Sequence, residues 1–340
     1  MTDAIRHSRR GLIGPFLIVG LLLAAWTVWW FWLVGQVETR LQTQAEALRQ
    51  AGWTVEMGRV STTGWPFRAR VVIDDPRILA PSGQGIAAPE LIAEAAAYNP
   101  DRWVVVAPNG LTLARGPKGP VAFSGPALRL SVSGLTRRFP RVAFELTKPV
   151  FTPGAGAEAF PLRTAERITF ETRANAASAD DLDVRFYIDG ARGRVGGPVE
   201  GMTGDGALGL TLEGVVEDAA ALKGADAAGV FSAWSRAGGR FTHVRGEIST
   251  GESRATFASD DLAAGADGRL SGQLSLKAVK PAAAISGLAR SQSGAVDRAG
   301  AAGAAVVTAG GNRDLDLTVQ FRDGRTWLGP FALAPAPKLF

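Results

Sequence analysis

The sequence predicts a mainly β protein with a few helices: an extended or curved antiparallel sheet, preceded by one N-terminal transmembrane helix. Three observations predict it. Residues 11–37, "GLIGPFLIVGLLLAAWTVWWFWLVGQV", carry no charge. After residue 52, short runs alternate apolar and polar residues with the period of two that a half-buried strand requires. Glycine is abundant at 42 residues, and with proline it falls between those runs, where turns belong.

Composition narrows the function classes. The pI of about 9.9 suggests a nucleic-acid partner, but the net charge is only +5, and Arg6, Arg9 and Arg10 against Asp3 supply +2 of it before the apolar run. The rest of the chain has no Lys/Arg block interleaved with aromatics, so no phosphate-tracking surface is expected. There is no cysteine, which removes disulfides, thiolate nucleophiles and cysteine metal sites together. The two histidines are His7 and His243, so any histidine-based chemistry in the main domain rests on His243 alone.

The elements follow in order. Residues 1–10 form a basic cytoplasmic N-terminus, and residues 11–35 the transmembrane helix, since about twenty apolar residues cross a bilayer core. Leu12, Ile13, Phe16, Leu17, Leu21, Leu22 and Leu23 fill that anchor. Trp26, Trp29, Trp30 and Trp32 crowd its far end, where indole rings suit the membrane–water interface. A cleaved signal peptide is the competing reading. The run is long for one, and bulky rings stand where small residues should precede cleavage. Residues 36–51 continue as a juxtamembrane helix, with Val37, Leu41, Ala45 and Leu48 at helical spacing and Gly52 as its stop.

Residues 52–340 read as one β-rich region, with 52–200 and 201–340 as candidate halves. Its first strand lies in "STTGWPFRARVVIDDPRIL" (61–79), with Trp65, Phe67, Ala69, Val71 and Ile73 on one side; Pro76 ends it. "GWTVEMGRV" (52–60) pairs with it as a hairpin. Asn109-Gly110 predicts a second hairpin between "DRWVVVAP" and "GLTLARG". Further strands fall in 126–135, 141–151, 166–174, 181–195, 206–216, 239–250, 252–262, 268–279 and 314–339, the last turning at Asp323-Gly324. Residues 217–239 are helical, with Leu222, Val230, Phe231 and Trp234 as core contacts, and 281–290 start a helix at a proline. Residues 291–311 form a weakly ordered loop or loose helix. Gly119-Pro120-Val121 with 127–134 and Gly197-Pro198-Val199 with 207–214 echo one another as a faint repeat.

Motifs of catalysis are missing. Asp74-Asp75, Asp180-Asp181, Asp260-Asp261, Asp181/Asp183 and Asp314/Asp316 read as strand ends and solvated faces, because no calcium-loop pattern or third ligand accompanies them. In "GRFTHVRGEIS", Phe241, His243 and Arg245 share a face, and no nucleophile or orienting group can be named for His243. No enzyme activity, cofactor or metal is expected. The apolar faces remain: Trp65, Phe67, Val71 and Phe186 mark a candidate groove, with Trp103, Phe123, Phe144, Phe170, Phe241 and Trp327 as further apolar positions. Such faces are covered by helices or a second strand layer, or else they hold acyl chains.

The anchor, the helix, "GWTVEMGRV" and "GWPFRARVVIDDPRIL" resemble the DUF2125 family of alphaproteobacterial proteins. So do "APELIAEAAAYNPDRWVVVAPNG" and the stretch from "FSAWSRAGG" to "GQLSLKAV". That family has no established activity, so no catalytic residue is carried over. More loosely, the anchor, helix and opening strands are similar to the AsmA-type envelope proteins. Those are anchored in the inner membrane, β-rich, and associated with phospholipid transport or outer-membrane integrity. The resemblance implies a bacterial inner-membrane protein with a periplasmic domain and a non-enzymatic role in cell-envelope lipid handling or maintenance. Its partners are then the lipid bilayer, with phospholipid acyl chains or an envelope protein. A tethered scaffold that binds an envelope protein through a sheet edge is the alternative. Roughly fifteen strands at about 4.8 Å each give ~70 Å, too short to bridge two membranes alone.

Overall fold

A computed structural model of the chain describes residues 10–222, 230–309 and 315–339. The apolar run and the polar stretch after it form one unbroken helix, α1 (Arg10–Gln50), of 41 residues. From Gly14 onward it is long and apolar enough to cross a membrane. Phe16, Leu17, Leu21, Leu22 and Leu23 are exposed, as a lipid-facing helix requires. The side chains of Leu12 and Ile13 lie outside the described residues. Farther along, Trp30, Leu33 and Val34 are buried against Ala69 and Ala97 of the β domain.

The chain then enters β1 (Thr54–Glu56) and β2 (Val60–Thr63), turns through 64–67 into β3 (Arg68–Asp74), and bends into β4 (Arg77–Leu79). It returns through β5 (Gln84–Ala87), β6 (Glu90–Ala96) and β7 (Asn99–Val106), then β8 (Leu111–Arg115), β9 (Pro120–Ser124), β10 (Ala127–Ser133) and β11 (Arg141–Thr147). β12 (Val150–Pro153), β13 (Leu162–Thr164), β14 (Arg167–Ala174) and the long β15 (Leu182–Gly193) follow. After α2 (Pro198–Thr203) come β16 (Leu208–Val216), α3 (Val230–Arg236), β17 (Arg240–Thr250), β18 (Ser253–Ser259), β19 (Leu262–Ala264) and β20 (Leu270–Val279). α4 (Pro281–Arg290) and α5 (Arg298–Thr308) precede β21 (Leu315–Arg322), β22 (Arg325–Leu328) and β23 (Phe331–Pro335).

All pairings are antiparallel, and they fall into two ladders. The narrow ladder is β1-β4-β5-β8-β9-β12-β13-β15. The wide ladder runs β2-β3-β6-β7-β10-β11-β14-β15. It continues β15-β16-β17-β18-β20-β21-β22-β23, with β19 between β17 and β20. Because β15 belongs to both, the 23 strands make one sheet. Pairing runs without a break past residue 200, where β15 meets β16.

The sheet is folded along a crease. Each long run crosses from one ladder to the other at a corner: Asp75-Pro76, Ala88-Pro89, Ala107-Pro108, Gly125-Pro126, Lys148-Pro149, Ala165-Glu166 and Asp189-Gly190. Proline suits such a place because it offers the ladder no donor. Asp75, Lys148 and Gly190 take positive φ there. Neighbouring corners bond to each other: Asp75 N–H donates to Pro89 O at 3.0 Å, Ala88 N–H to Pro76 O at 3.0 Å, and Ala165 N–H to Pro149 O at 3.2 Å. A folded sheet thus keeps its backbone groups paired through the bend.

The crease corrects several expectations. Asn109-Gly110 does not close a hairpin, since β7 pairs with β6 and β10 while β8 pairs with β5 and β9. It turns the chain between layers. The expected fifteen or so strands become 23 because runs such as 68–79 are split by a corner. "GWTVEMGRV" does pair with the 61–79 stretch as expected, but through both ladders, Thr54–Glu56 with β4 and Val60 with β3. Residues 298–308 form a regular helix, whose Asp297 side chain accepts the Gly300 N–H at 3.0 Å as an N-cap. The two Gly-Pro-Val echoes diverge, Pro120 opening a strand and Pro198 a helix. Within 217–239, Trp234 is fully buried, and Val230's side chain lies outside the described residues.

Candidate functional site: a half-roofed apolar trough

Period two sorts each strand's side chains onto two faces, and register aligns those faces across the sheet. On the inner face of the wide ladder one row reads Val71, Ala93, Val105, Leu130, Phe144, Phe170, Phe186 and Leu212, each opposite the next. It continues through Gly246, Phe257 and Leu276 to Leu317. The row nearer the crease includes Leu128, Leu146, Ile168 and Ile188. No charged residue stands in either row.

The two rows differ in cover. Leu128, Leu146, Ile168 and Ile188 are buried beneath Val121, Phe123 and Phe151 of the narrow ladder, in the largest core cluster. Phe123 and Phe151 meet edge to face at 4.9 Å. Narrow-ladder strands before β15 have three to five residues. The wide-ladder strands β3, β6, β7, β10, β11 and β14 beneath them have seven or eight. At about 3.3 Å per residue the overhang is roughly 10 Å. The upper layer therefore stops short, and Leu130, Phe144, Phe170, Phe186 and Leu212 are only half-buried. The fold is a trough roofed along the crease.

Toward the far end, helices take over as roof. α2 and α4 bring Met202, Pro281 and Ile285 over Ile248, Ala255 and Ala278, leaving an apolar cavity of about 150 Å³ that Leu276 and Leu317 also line. Trp234 of α3 packs down onto Val216, with Leu182, Val184 and Phe241 beside it. Two serines on the inner face bond to backbone: Ser259 Oγ donates to Gln273 O at 2.6 Å and Ser253 Oγ to Lys280 O at 2.7 Å. Satisfied in this way, they add no free polarity to the trough.

The outer face carries the charges, in cross-strand ladders. Glu94 lies between Arg68 and Arg70, both at 3.3 Å. Glu145 lies between Arg129 and Arg167, and Arg141 meets Glu171 at 3.4 Å. Glu213 pairs with Arg185 on one side and Arg245, at 3.1 Å, on the other. The hydrogen bond from Arg185, then that from Arg245, holds the Glu213 carboxyl below the usual carboxylate range; the same contact raises Arg185.

The residues predicted as a groove part company here. Val71 and Phe186 stand in the inner row. Trp65 and Phe67 do not; with Pro66 they form the β2–β3 turn, closed by Arg68 N–H donating to Gly64 O at 2.9 Å, and they are 49% and 67% exposed. Gly64 takes φ +104 and lies so close to Arg68 O that a Cβ would stand 2.7 Å from it, so the chain must turn before the strand begins. Alternation alone had joined the turn to the strand. Leu130, Leu212, Leu276 and Leu317 were not singled out, although their alternation was visible in 126–135, 206–216, 268–279 and 314–339.

His243 sits at a bulge with φ 50, so Phe241 and Val244 turn inward while His243 and Arg245 are exposed, breaking the expected shared face. Asp183 accepts from Arg173 and Asn175, and Asp181 caps the Asp218 N–H. Among the described residues no cluster of three or more histidine and carboxylate groups could hold a metal ion.

A family model described as an uncharacterized protein conserved in bacteria (DUF2125) matches residues 30–337. The chain belongs to the DUF2125 family. No curated protein and no solved structure matches it. The DUF2125 match begins within α1 at Trp30 and ends beyond β23. It therefore takes in Trp30 and the rest of the helix after it, together with the whole folded sheet.

Proposed function

We propose that this protein is a single-pass inner-membrane protein that cradles phospholipid acyl chains in its trough and serves cell-envelope lipid handling without catalysis. The observation that carries the reading is the uncharged inner row, only partly buried from Leu130 to Leu212 beside a fully buried one. Apolar surface left open across many strands, with charge confined to the outer face, matches an acyl chain and offers no acid, base or nucleophile. Arg6, Arg9 and Arg10 before the span support a cytoplasmic N-terminus and a periplasmic β domain.

The scaffold alternative draws on free sheet edges, and the edges here are blunted. Beside α1, Arg49 Nε donates to Val55 O of β1 at 3.0 Å, and the Thr62 hydroxyl of β2 donates to the Glu38 carboxylate at 2.7 Å, which holds the helix side chain beside that edge. At the far edge, the Asp297 N–H donates to Leu333 O of β23 at 2.8 Å, and β23 ends at Pro335.

Native mass spectrometry of the full-length protein, exchanged into a delipidating detergent, tests the reading. We expect bound phospholipid in the parent, lost in Phe186→Asp and in Leu130→Asp, two variants on different strands of the same row. A parent free of lipid would refute acyl-chain binding.

A further inference from the structure

We propose that the β domain makes a second membrane contact of its own: the β2–β3 turn (64–67) and the β6–β7 turn around Tyr98 form a wedge seated in the outer interface of the bilayer that α1 spans. This rests on α1 as a membrane span and not on the trough.

The two turns lie against the tryptophan-rich stretch of α1. Trp26 Nε1 donates to Pro66 O at 2.7 Å and Trp30 Nε1 to Arg68 O at 2.7 Å. Trp29 Nε1 reaches Ala97 O at 3.5 Å, and Trp65 Nε1 donates to Thr27 Oγ1 at 3.3 Å. Position along the helix sets the depth. From Arg10, where the charge-free run begins, α1 rises roughly 24 Å to Trp26 and roughly 30 Å to Trp30, and the hydrocarbon core is about 30 Å thick. The turn that Trp26 holds is therefore level with the last turn of the span, about 6 Å inside its end.

Two independent features suit that depth. The outward side chains are aromatic: Phe67 is 67% and Tyr98 74% exposed, beside Trp65 and the helix's own exposed Trp29, Phe31 and Trp32. In water these would be an unexplained apolar patch; at the headgroup boundary they continue the aromatic belt of α1. Second, irregular backbone at membrane depth must have its polar groups satisfied by protein. The carbonyls of Pro66, Arg68 and Ala97 are satisfied by indole N–H groups of the anchor. Arg102 and the Arg68–Glu94 pair line the concavity between Phe67 and Tyr98, and a cationic side chain there suits a headgroup boundary.

The cysteine-free sequence allows a direct test. Single cysteines at Phe67, Tyr98, Phe16 and Val195 are labelled with an environment-sensitive NBD fluorophore in the full-length protein. The protein is reconstituted in phosphatidylethanolamine–phosphatidylglycerol vesicles, with nitroxide lipids as depth-resolved quenchers. Phe16 is 73% exposed within the span, and Val195, equally exposed, follows β15 at the narrow-ladder end. We expect labels at 67 and 98 to be blue-shifted and quenched by shallow nitroxides, the label at 16 by deep ones, and the label at 195 by neither. A water-like label at 67 and 98 with a deeply quenched label at 16 overturns the wedge and leaves the span standing. A water-like label at 16 overturns both and leaves the trough to its own test. Shielding at 67 and 98 without nitroxide quenching means a protein cover and also overturns the wedge.

Discussion

Glu213 shows how a single residue's chemistry marks the outer face. It stands between two arginines, and its carboxyl is held below the ordinary range by their hydrogen bonds. A depressed folded-state value means stabilisation that is present above the unfolded carboxylate pKa near ~4.3 and lost as pH falls through the lower folded value. Because both arginines are largely exposed, the contribution is at most about 1 kcal/mol. We therefore expect Glu213→Gln to lower stability slightly at pH 7, and the gap between variant and parent to close on acidification below about pH 4. Urea denaturation of both proteins across that range checks the sign. At this scale the sequence was partly legible. The alternation at 181–195 placed Phe186 and Arg185 on opposite faces, as found. Phe67 was misplaced because alternation carries no information on where a strand starts; Gly64's close approach to Arg68 does, and it is a fact of three dimensions.

At the scale of elements, the same limits recur in a different form. Strand existence was readable from period two, but pairing was not: Asn109-Gly110 has the chemistry of a hairpin turn and serves instead as a corner between layers. Pro76 was legible as a strand end, but the expected strand 141–151 runs straight through Pro149, and only the sheet reveals that the corners align. The sequence leaves 291–311 between loop and loose helix because alanine and glycine give little periodic contrast; the smallness of the helix at 298–308 has a use, since Ala301 and Ala304 are buried. Close packing of small residues also governs α2 against α4. A Cβ on Gly287 would lie 1.7 Å from Gly201 O, and one on Gly201 2.4 Å from Gly287 O. Neither backbone can yield without moving its helix. We expect Gly287→Ala to destabilise by about 1–3 kcal/mol through overpacking, with opening of the roof over the 150 Å³ cavity. Gly294→Ala, where nothing lies within 4 Å, is expected to stay within about 0.5 kcal/mol. Thermal denaturation separates them.

At the scale of the whole molecule, the anchor is part of the fold. α1 runs alongside the first strands of both ladders, from Trp26 at the β2–β3 turn, past Leu33 and Val34 on Ala69, to Arg49 on β1. It therefore packs against the near end of the sheet along much of its length. The sequence marked residues 11–35 as anchor and 36–51 as its juxtamembrane continuation, because charge changes at Glu38. What it could not convey is that the anchor's last turns are also core, since burial against a distant strand leaves no local signature. The consequence is testable with a fragment that starts at residue 38. It lacks Trp30, Leu33 and Val34, each a buried side chain contributing about 1.5–3 kcal/mol. Ala69 and Ala97 would then face water. We expect hydrogen exchange in the fragment to quicken first in β2, β3 and β6, while β14 to β16, sealed by the main core, keep their protection. Equal protection of β3 in fragment and full chain would make α1 a tether alone. Accelerated exchange confined to the near strands would make it a structural wall of the trough, and lipid occupancy would then have to be measured on the anchored protein.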